Sequence, residues 1–386
     1  MNKGKVGVAL IGAGNISTQY LDNLTKFPDL EVIAITDMFP EAAKARAEEY
    51  GVALHGTPEL ALEHPDVEII VNLTIPAAHA EVGRQAIRAG KHVWSEKPVA
   101  LDRENGRELL AEAEAAGLRV GCAPDTFLGA GLQTAIRAIQ RGDIGRPLSA
   151  QTVMQYPGPD LWHPNPSFLF QKGAGPLFDM GPYYVTALVQ AFGSARRVAA
   201  MGSKAWEVRK VHTGPKEGEE FQVEVPTHVS AQIQFEEGAI SHSTFSFQSA
   251  YMNFGYVEIS GSEGSLLVPD PNNFDGELKI IRPGEEDWTV VPTTGPANGR
   301  GMGVLDMARS IRAGVPHRAT GELAFHVLDT MIAISESVDS GTFVDVASSA
   351  PSSAPLPEDW APESATLDTP SSVPLPEDRA PENATL

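Results

Sequence analysis

Residues able to grip a phosphate stand close to the start of the chain. In the stretch VALIGAGNIS, Gly12, Gly14 and Ser17 hold the G-x-G-x-x-G/A spacing, after an apolar run and at the beginning of a helical segment. Gly12 permits the tight turn, Gly14 lets the backbone approach a pyrophosphate, and the small Ser17 lets the helix pack closely on the strand. The helix start at Asn15 and Ile16 offers free N–H groups and a partial positive charge to the phosphates. About twenty residues past Ser17, Asp37 closes the next apolar run, where a carboxylate accepts both hydroxyls of an adenosine ribose and repels a 2′-phosphate. Met38 and Phe39 follow in place of an arginine, so NAD is expected over NADP. Glycines at a strand-to-helix turn are weak evidence by themselves; the carboxylate at this distance strengthens them.

These residues need a sheet to hold them. From Val6 to Cys122 short β-rich runs alternate with helical segments: strand Val6–Ile11, helix Ile16–Phe27, strand Glu31–Thr36, helix Pro40–Tyr50, a short segment Ala53–His55, strand Glu68–Leu73, helix His79–Ala89, strand His92–Ser95, helix Arg103–Ala116 and strand Arg119–Cys122. Strands separated by helix-length crossovers imply a parallel, doubly wound sheet covered on both faces. After a helix at Gly131–Arg141 the texture changes to longer alternating runs, at Leu148–Gln155, Val198–Val208, Gln222–Glu236, Ala239–Phe247, Tyr256–Val268 and Leu278–Arg282, with turn signals such as Glu236-Glu237-Gly238. These predict an α+β domain on a large, mostly antiparallel sheet, with helices Gly303–Arg312 and Gly321–Ser340 packed on it. The expected division is a dinucleotide-binding α/β domain at 1–122, a substrate-binding and oligomerisation domain at 123–346, and a tail at 347–386. The tail is rich in Pro, Ser and acidic residues, and Pro351 to Leu367 recurs as Pro370 to Leu386 with changes only at Ala354/Val373, Trp360/Arg379 and Ser364/Asn383. Such composition predicts disorder, with Trp360 as the one residue suited to docking; a partner-binding polyproline motif is the alternative.

The composition limits the function. A chain of 386 residues with 42% hydrophobic and 20% charged residues is that of a globular protein of at least two domains, and no apolar run is long enough to span a bilayer. One cysteine, Cys122, excludes an internal disulfide and a thiolate metal cluster, so redox chemistry has to come from a bound cofactor. A formal charge of −21 repels nucleic acid and anionic membranes and leaves a small molecule as the expected partner, with the cytoplasm as the expected compartment.

Three further blocks carry a resemblance. Thr74-Ile75-Pro76 with His79, then GKHVWSEKP ending in Glu96-Lys97-Pro98, then GAGPLFDMGPYY from Gly173 to Tyr184 occur in this order. With the glycine turn they resemble the Gfo/Idh/MocA oxidoreductases, the glucose-fructose oxidoreductase and inositol dehydrogenase relatives, over Val6 to about Val346. The resemblance implies that Lys97 contacts substrate and cofactor and that Asp179 is the aspartate of the second-domain motif. That motif is usually D-x-G-x-H in the family, whereas Asp179-Met180-Gly181-Pro182 is followed here by Tyr183. The chain is thus more similar to the dihydrodiol dehydrogenase and glucose-fructose oxidoreductase branches, where a tyrosine in this position acts as acid and base. It further implies Thr74, Pro76, His79 and Glu96 beside the cofactor, and a homodimer or homotetramer formed through an apolar sheet face.

Oxidising a sugar or cyclitol hydroxyl means giving a hydride to the nicotinamide and a proton to a base within hydrogen-bond reach. A phenol ionises near pH 10 in water, so Tyr183 needs positive charge nearby, for which Lys97 is the candidate; Asp179 would orient a substrate hydroxyl or the lysine. No metal is needed. Asp125 and Phe127, just past the last parallel strand, and Trp162 with His163 are the expected substrate contacts. The same residues have structural readings: Lys97 as a strand-end lysine, Tyr183 as a core aromatic, Asp179 as the cap of a helix starting at Gly181-Pro182, and His79 as a packing residue. Two other functions fit the sequence: an enzyme that keeps its NAD and runs an internal redox cycle, and a non-catalytic NAD-sensing protein.

Overall fold

A computed structural model describes residues 4–367. The N-terminal sheet has six parallel strands in the order β3-β2-β1-β4-β5-β6, the doubly wound order of dinucleotide-binding domains. The strands are β1 Val6–Ile11, β2 Leu30–Thr36, β3 Leu54–Gly56, β4 Ile69–Asn72, β5 His92–Ser95 and β6 Val120–Cys122. The crossovers are α1 Asn15–Leu24, α2 Pro40–Tyr50, α3 Pro58–Glu63, α4 His79–Arg88 and α5 Arg103–Ala115. β1 and β4 are buried along their whole length, as continuous apolar runs between two helical layers must be. The register decides the function of this sheet. Thr36 pairs with Ile11, Ile11 with Asn72, Asn72 with Ser95 and Ser95 with Cys122, so the carboxyl ends of five strands lie in one row. The residues one or two steps beyond that row, among them Gly12, Asp37, Thr74, Glu96 and Lys97, are thereby gathered along one edge.

After α6 (Ala130–Arg141), the second sheet has nine strands in the order β16-β15-β14-β13-β7-β12-β11-β8-β17. They are β7 Pro147–Gln155, β8 Ala195–Ser203, β11 His228–Phe235, β12 Ile240–Ser246, β13 Asn253–Gly261, β14 Ser265–Val268, β15 Leu278–Ile281, β16 Thr289–Val291 and β17 Val344–Asp345, with β9 Val208–Lys210 and β10 Glu220–Gln222 forming a separate hairpin. Every pairing in this sheet is antiparallel except β7 with β12. The mixed α/β architecture expected from the sequence is therefore present. α7 (Gly175–Phe192) and α9 (Gly321–Ser340) pack on one face, and α9 also touches α5 and β6.

Four expectations meet a different structure. The run expected as one strand from Tyr256 to Val268 is a hairpin, β13–β14, folded at Ser262-Glu263-Gly264. The helix expected to start at Gly181-Pro182 starts at Gly175 and carries Pro182 inside it. The helix near Gly303, α8 (Met302–Ala313), packs on the N-terminal sheet and not on the second one: Gly303 lies flat on the Trp94 ring, and Arg312 and Arg309 bond Glu68 and Asp29. The outer face of the large sheet is mixed rather than uniformly apolar: one transverse row reads Ala199, Gln232, His242, Gln151, Glu258 and Leu267, while Ile240 and Met201 stand exposed in other rows.

The tail also departs from expectation over its first part. Residues 347–367 run across the body as an ordered strap: Leu356 is buried and bonded through its backbone to Gln133 and Arg137. Trp360 stacks under the Arg309 guanidinium at 4.8 Å, and Thr366 and Leu367 bond the Asp29 carboxylate, which these bonds and Arg309 hold below its usual range against the opposing effect of burial. Composition missed this because the bonds go to partners far away in the chain. The second copy, Pro370–Leu386, lies outside the described residues. Among the described residues no helix is long and apolar enough to cross a membrane.

Candidate active site

The glycine turn is built as its spacing implies. Gly12 has φ +111°, and a Cβ there would strike the Leu73 carbonyl. At Gly14, by contrast, an added Cβ meets nothing within 4 Å, so open space lies in front of α1. No side chain caps the α1 N-terminus, and its first turn carries no acid. Ser17 is buried and donates to the Gly14 carbonyl at 2.7 Å, tying the turn to the helix. The Asp37 carboxylate accepts from the Ala13 N–H at 2.8 Å and the Phe39 N–H at 2.9 Å, which holds it beside the turn. An open, uncapped helix start with a carboxylate alongside fits the pyrophosphate and ribose of a nicotinamide dinucleotide.

His79 is sealed in the protein, its Nδ1 2.6 Å from the Pro98 carbonyl and its Nε2 3.0 Å from the Thr74 carbonyl. Burial holds it below its ordinary value and therefore neutral, so the imidazole, with one N–H, donates to one carbonyl at a time. It clips the Thr74-Ile75-Pro76 loop to the Lys97-Pro98 segment. Thr74 itself is fixed by Asn72, whose side-chain oxygen accepts from its hydroxyl at 2.7 Å.

The catalytic candidates converge across the two sheets. Asp179 and Tyr183 sit four residues apart on α7 and so share a helix face. Pro182 lacks the N–H that would bond the Phe178 carbonyl, which loosens this turn. Lys97 reaches in from the edge of the N-terminal sheet, donating to the Asp179 carbonyl at 2.8 Å and its carboxylate at 3.2 Å, with Nζ 5.4 Å from the centre of the Tyr183 ring. Burial works against the ammonium, but Tyr183, Asp179 and Glu96 outweigh it and push Lys97 up, so it stays charged. Glu96 accepts from the Lys97 N–H and from the hydroxyl of Tyr20, which in turn accepts from the Trp94 indole.

The expected substrate contacts divide into two groups. In the 162–163 loop, Trp162 is 59% exposed and its ring meets His163 edge-on at 5.6 Å. His163 stacks between Trp162 and Phe168. The loop is anchored by Arg209, a buried guanidinium bonded to Asp160 and to the Pro157 and Phe247 carbonyls, with Phe170 and Trp206 against it. Asp125 and Phe127 are instead fully buried: Asp125 accepts from the N–H groups of Gly301 and Gly303 and so fixes the start of α8, and Phe127 packs in the core. Neither side chain is exposed in this structure, unlike Trp162.

A model of the NAD-binding Rossmann fold of an oxidoreductase family matches residues 6–123, and a model of the GFO/IDH/MocA C-terminal domain matches residues 132–267, together more than half of the chain. The chain belongs to the Gfo/Idh/MocA family. Among the Gfo/Idh/MocA relatives, 1,5-anhydro-D-fructose reductase of Ensifer adhaerens is 29% identical over 264 residues, 67% of this chain and 74% of the relative. Trans-1,2-dihydrobenzene-1,2-diol dehydrogenase of Bos taurus is 24% identical over 302 residues, 76% of this chain and 84% of the relative. The fold is shared with levoglucosan dehydrogenase in complex with NADH and L-sorbose, at TM-score 0.78, 23% identity, and coverage of 89% of this chain and 99% of the other. Membership in the Gfo/Idh/MocA family supports an NAD(P)-binding oxidoreductase that acts on sugar or cyclitol hydroxyls. Sequence reasoning passed over one residue of the site, Arg300, although an arginine between two glycines just before a helix was a usable signal. Its Nη2 donates to the Tyr183 hydroxyl at 2.9 Å.

Proposed function

We propose that this protein is an NAD-dependent dehydrogenase of a sugar, as pyranose, aldose or glycoside, or of a cyclitol, with Tyr183 as acid and base, assisted by Lys97 and Asp179. The observation that carries this reading is the cluster of those three side chains on the edge toward which the uncapped α1 N-terminus opens. When bound, the dinucleotide supplies the acceptor or donor of the hydride. Gly12, Gly14, Asn15 and Ile16 would hold its phosphates, and Asp37 its ribose, with preference for NAD. Thr74, Pro76, Glu96 and Lys97 would line the nicotinamide side, where His79 fixes the loop.

In the oxidation direction Tyr183 takes the proton of the substrate hydroxyl, and its own proton returns in reduction. The Lys97 ammonium, held by Asp179, stabilises the oxyanion that forms in either direction. The Asp179 carboxylate accepts from a neighbouring hydroxyl and so selects which carbon faces the hydride acceptor. Exposed Trp162, with His163 beside it, gives a sugar ring a stacking surface and hydrogen-bonding groups at the mouth of the site. The relatives' names, an anhydrofructose reductase and a dihydrodiol dehydrogenase, support a cyclic vicinal diol or keto sugar as the substrate class.

The test is a panel of aldoses, glycosides and inositols with NAD, followed by variants on whichever compound reacts. Tyr183→Phe removes one oxygen and keeps the ring, so folding and cofactor binding survive while turnover falls about 10²- to 10⁴-fold. Lys97→Met loses a similar factor, and because the two act as one unit the double variant is little worse than the poorer single one. Near-full turnover in Tyr183→Phe would leave Tyr183, which is buried in the core cluster, a packing residue only and make His163 or Asp179 the next candidate for the base.

A further inference from the structure

We infer that Arg300 is a positioning residue for the acid–base chemistry: its guanidinium, docked on the Tyr183 hydroxyl, directs the phenol's proton into the cleft and stabilises the oxygen once the proton is gone. This rests on the reading of Tyr183 as acid and base.

The position of Arg300 is built from both ends of the chain. Gly301, at φ +101°, adopts a conformation that side chains resist, and its N–H and that of Gly303 both bond the buried Asp125 carboxylate at 2.9 and 3.1 Å. On the other side the Asn23 amide of α1 bonds the Arg300 carbonyl at 3.0 Å. From this doubly held backbone the side chain runs across the Tyr183 ring at 5.7 Å from its centre, with Nη2 on the hydroxyl. The guanidinium is nearly sealed from solvent, so its field is little screened.

Hydrogen-bond direction does the rest. A guanidinium has five donors and no acceptor, and an ammonium likewise only donates. The two cations around Tyr183, Arg300 on its oxygen and Lys97 over its ring, therefore leave the phenolic hydrogen no acceptor among themselves. The hydrogen turns toward the substrate oxygen, the orientation needed to reduce a ketone; in oxidation the oxygen that has lost it sits against a cation. The groups facing this assembly are Lys97 from the sheet edge, Asp179 from α7, and Glu96, Asp125 and Tyr20 behind Arg300. Arg300 Nη1 lies 4.0 Å from Glu96 and 3.8 Å from Asp125, beyond hydrogen-bond range of both. Nη1 and the nearer Asp125 oxygen are buried without a hydrogen-bond partner. The two carboxylates thus balance the guanidinium's charge without drawing it off the phenol.

The test compares wild type with Arg300→Gln, Arg300→Lys and Tyr183→Phe, in turnover against pH and in ultraviolet difference titration of tyrosinate, which needs no turnover. Arg300→Gln should lower turnover about 10- to 100-fold with KM changed only a few-fold, and move the ionisation step of the pH profile, and the matching tyrosinate signal, upward by about one pH unit. Arg300→Lys, which keeps the charge, should return the step most of the way and rule out a mere packing defect. If Arg300→Gln folds and leaves the step in place while Tyr183→Phe abolishes it, the role of Arg300 is refuted and that of Tyr183 stands. If Tyr183→Phe keeps both rate and step, the acid–base reading fails, and the inference with it.

Discussion

Asp37 illustrates what one residue can decide. Its carboxylate is held beside the glycine turn by two backbone N–H groups, so it cannot easily swing away from an incoming 2′-phosphate. Placing two anions together in a partly buried site costs binding energy, and Asp37→Ser should reduce the ratio of kcat/KM for NAD over NADP by about ten- to a hundredfold, measured with the same substrate. Equal efficiency of wild type with both cofactors would contradict the preference. Arg209 has another kind of effect: it touches no candidate catalytic group, yet it anchors the loop that carries Trp162, through Asp160 and two carbonyls.

Among the elements, the strap at 347–367 differs most from its composition. It touches Gln133 and Arg137 on α6, Arg318 before α9, Arg309 on α8 and Asp29 before β2, and so ties the N-terminal sheet to the second domain. A chain ending after Val346 should melt about 5–10 °C lower in a thermal scan, since it loses a buried leucine, the Trp360 stack and the bonds to Asp29. Trp360→Ala alone should account for about 1–2 kcal/mol of this. Removing only Pro370–Leu386 should leave both melting temperature and turnover where they were. Loss of activity on that removal would show that the duplication serves a function.

The molecule as a whole carries a pH dependence that the site does not explain. His92 and His317 both feel the charge of Arg119, and burial, reinforced by that guanidinium, lowers each to about 4. Both are neutral in the fold, whereas in the unfolded chain they take up protons below about 6.5. Their contribution to stability is therefore complete above that value and is lost as the pH falls toward about 4. Melting temperature should drop across this window, and a His92→Asn/His317→Gln variant should flatten the drop; an unchanged slope would rule these two out as its source. Self-association is the other property at this scale. We expect a homodimer or homotetramer; the outer face of the large sheet is polar from Gln232 to Glu258 in one row but exposes Ile240 and Met201 in others, and Trp206, Tyr251, Met252 and Phe254 stand exposed near one end of the sheet. A sedimentation mass of one chain at micromolar concentration would reject the expectation.

How much of this was written in the sequence depends on distance along the chain. The glycine turn, Asp37 about twenty residues on, and the alternation of strands with helices depend on neighbours close in sequence, and the parallel sheet and its cofactor edge follow from them. Lys97, Asp179 and Tyr183 were legible as motifs, yet their meeting depends on the way α7 packs against the N-terminal sheet, which no local pattern encodes. Tertiary structure alone decided three matters. Asp125 became a buried anchor for α8, because that helix returns to the first sheet from nearly two hundred residues away. Arg300 reached Tyr183 across a separation of 117 residues. A Pro-rich stretch became ordered because Asp29, Arg309 and Gln133 supply the hydrogen bonds and apolar contacts that its own composition lacks.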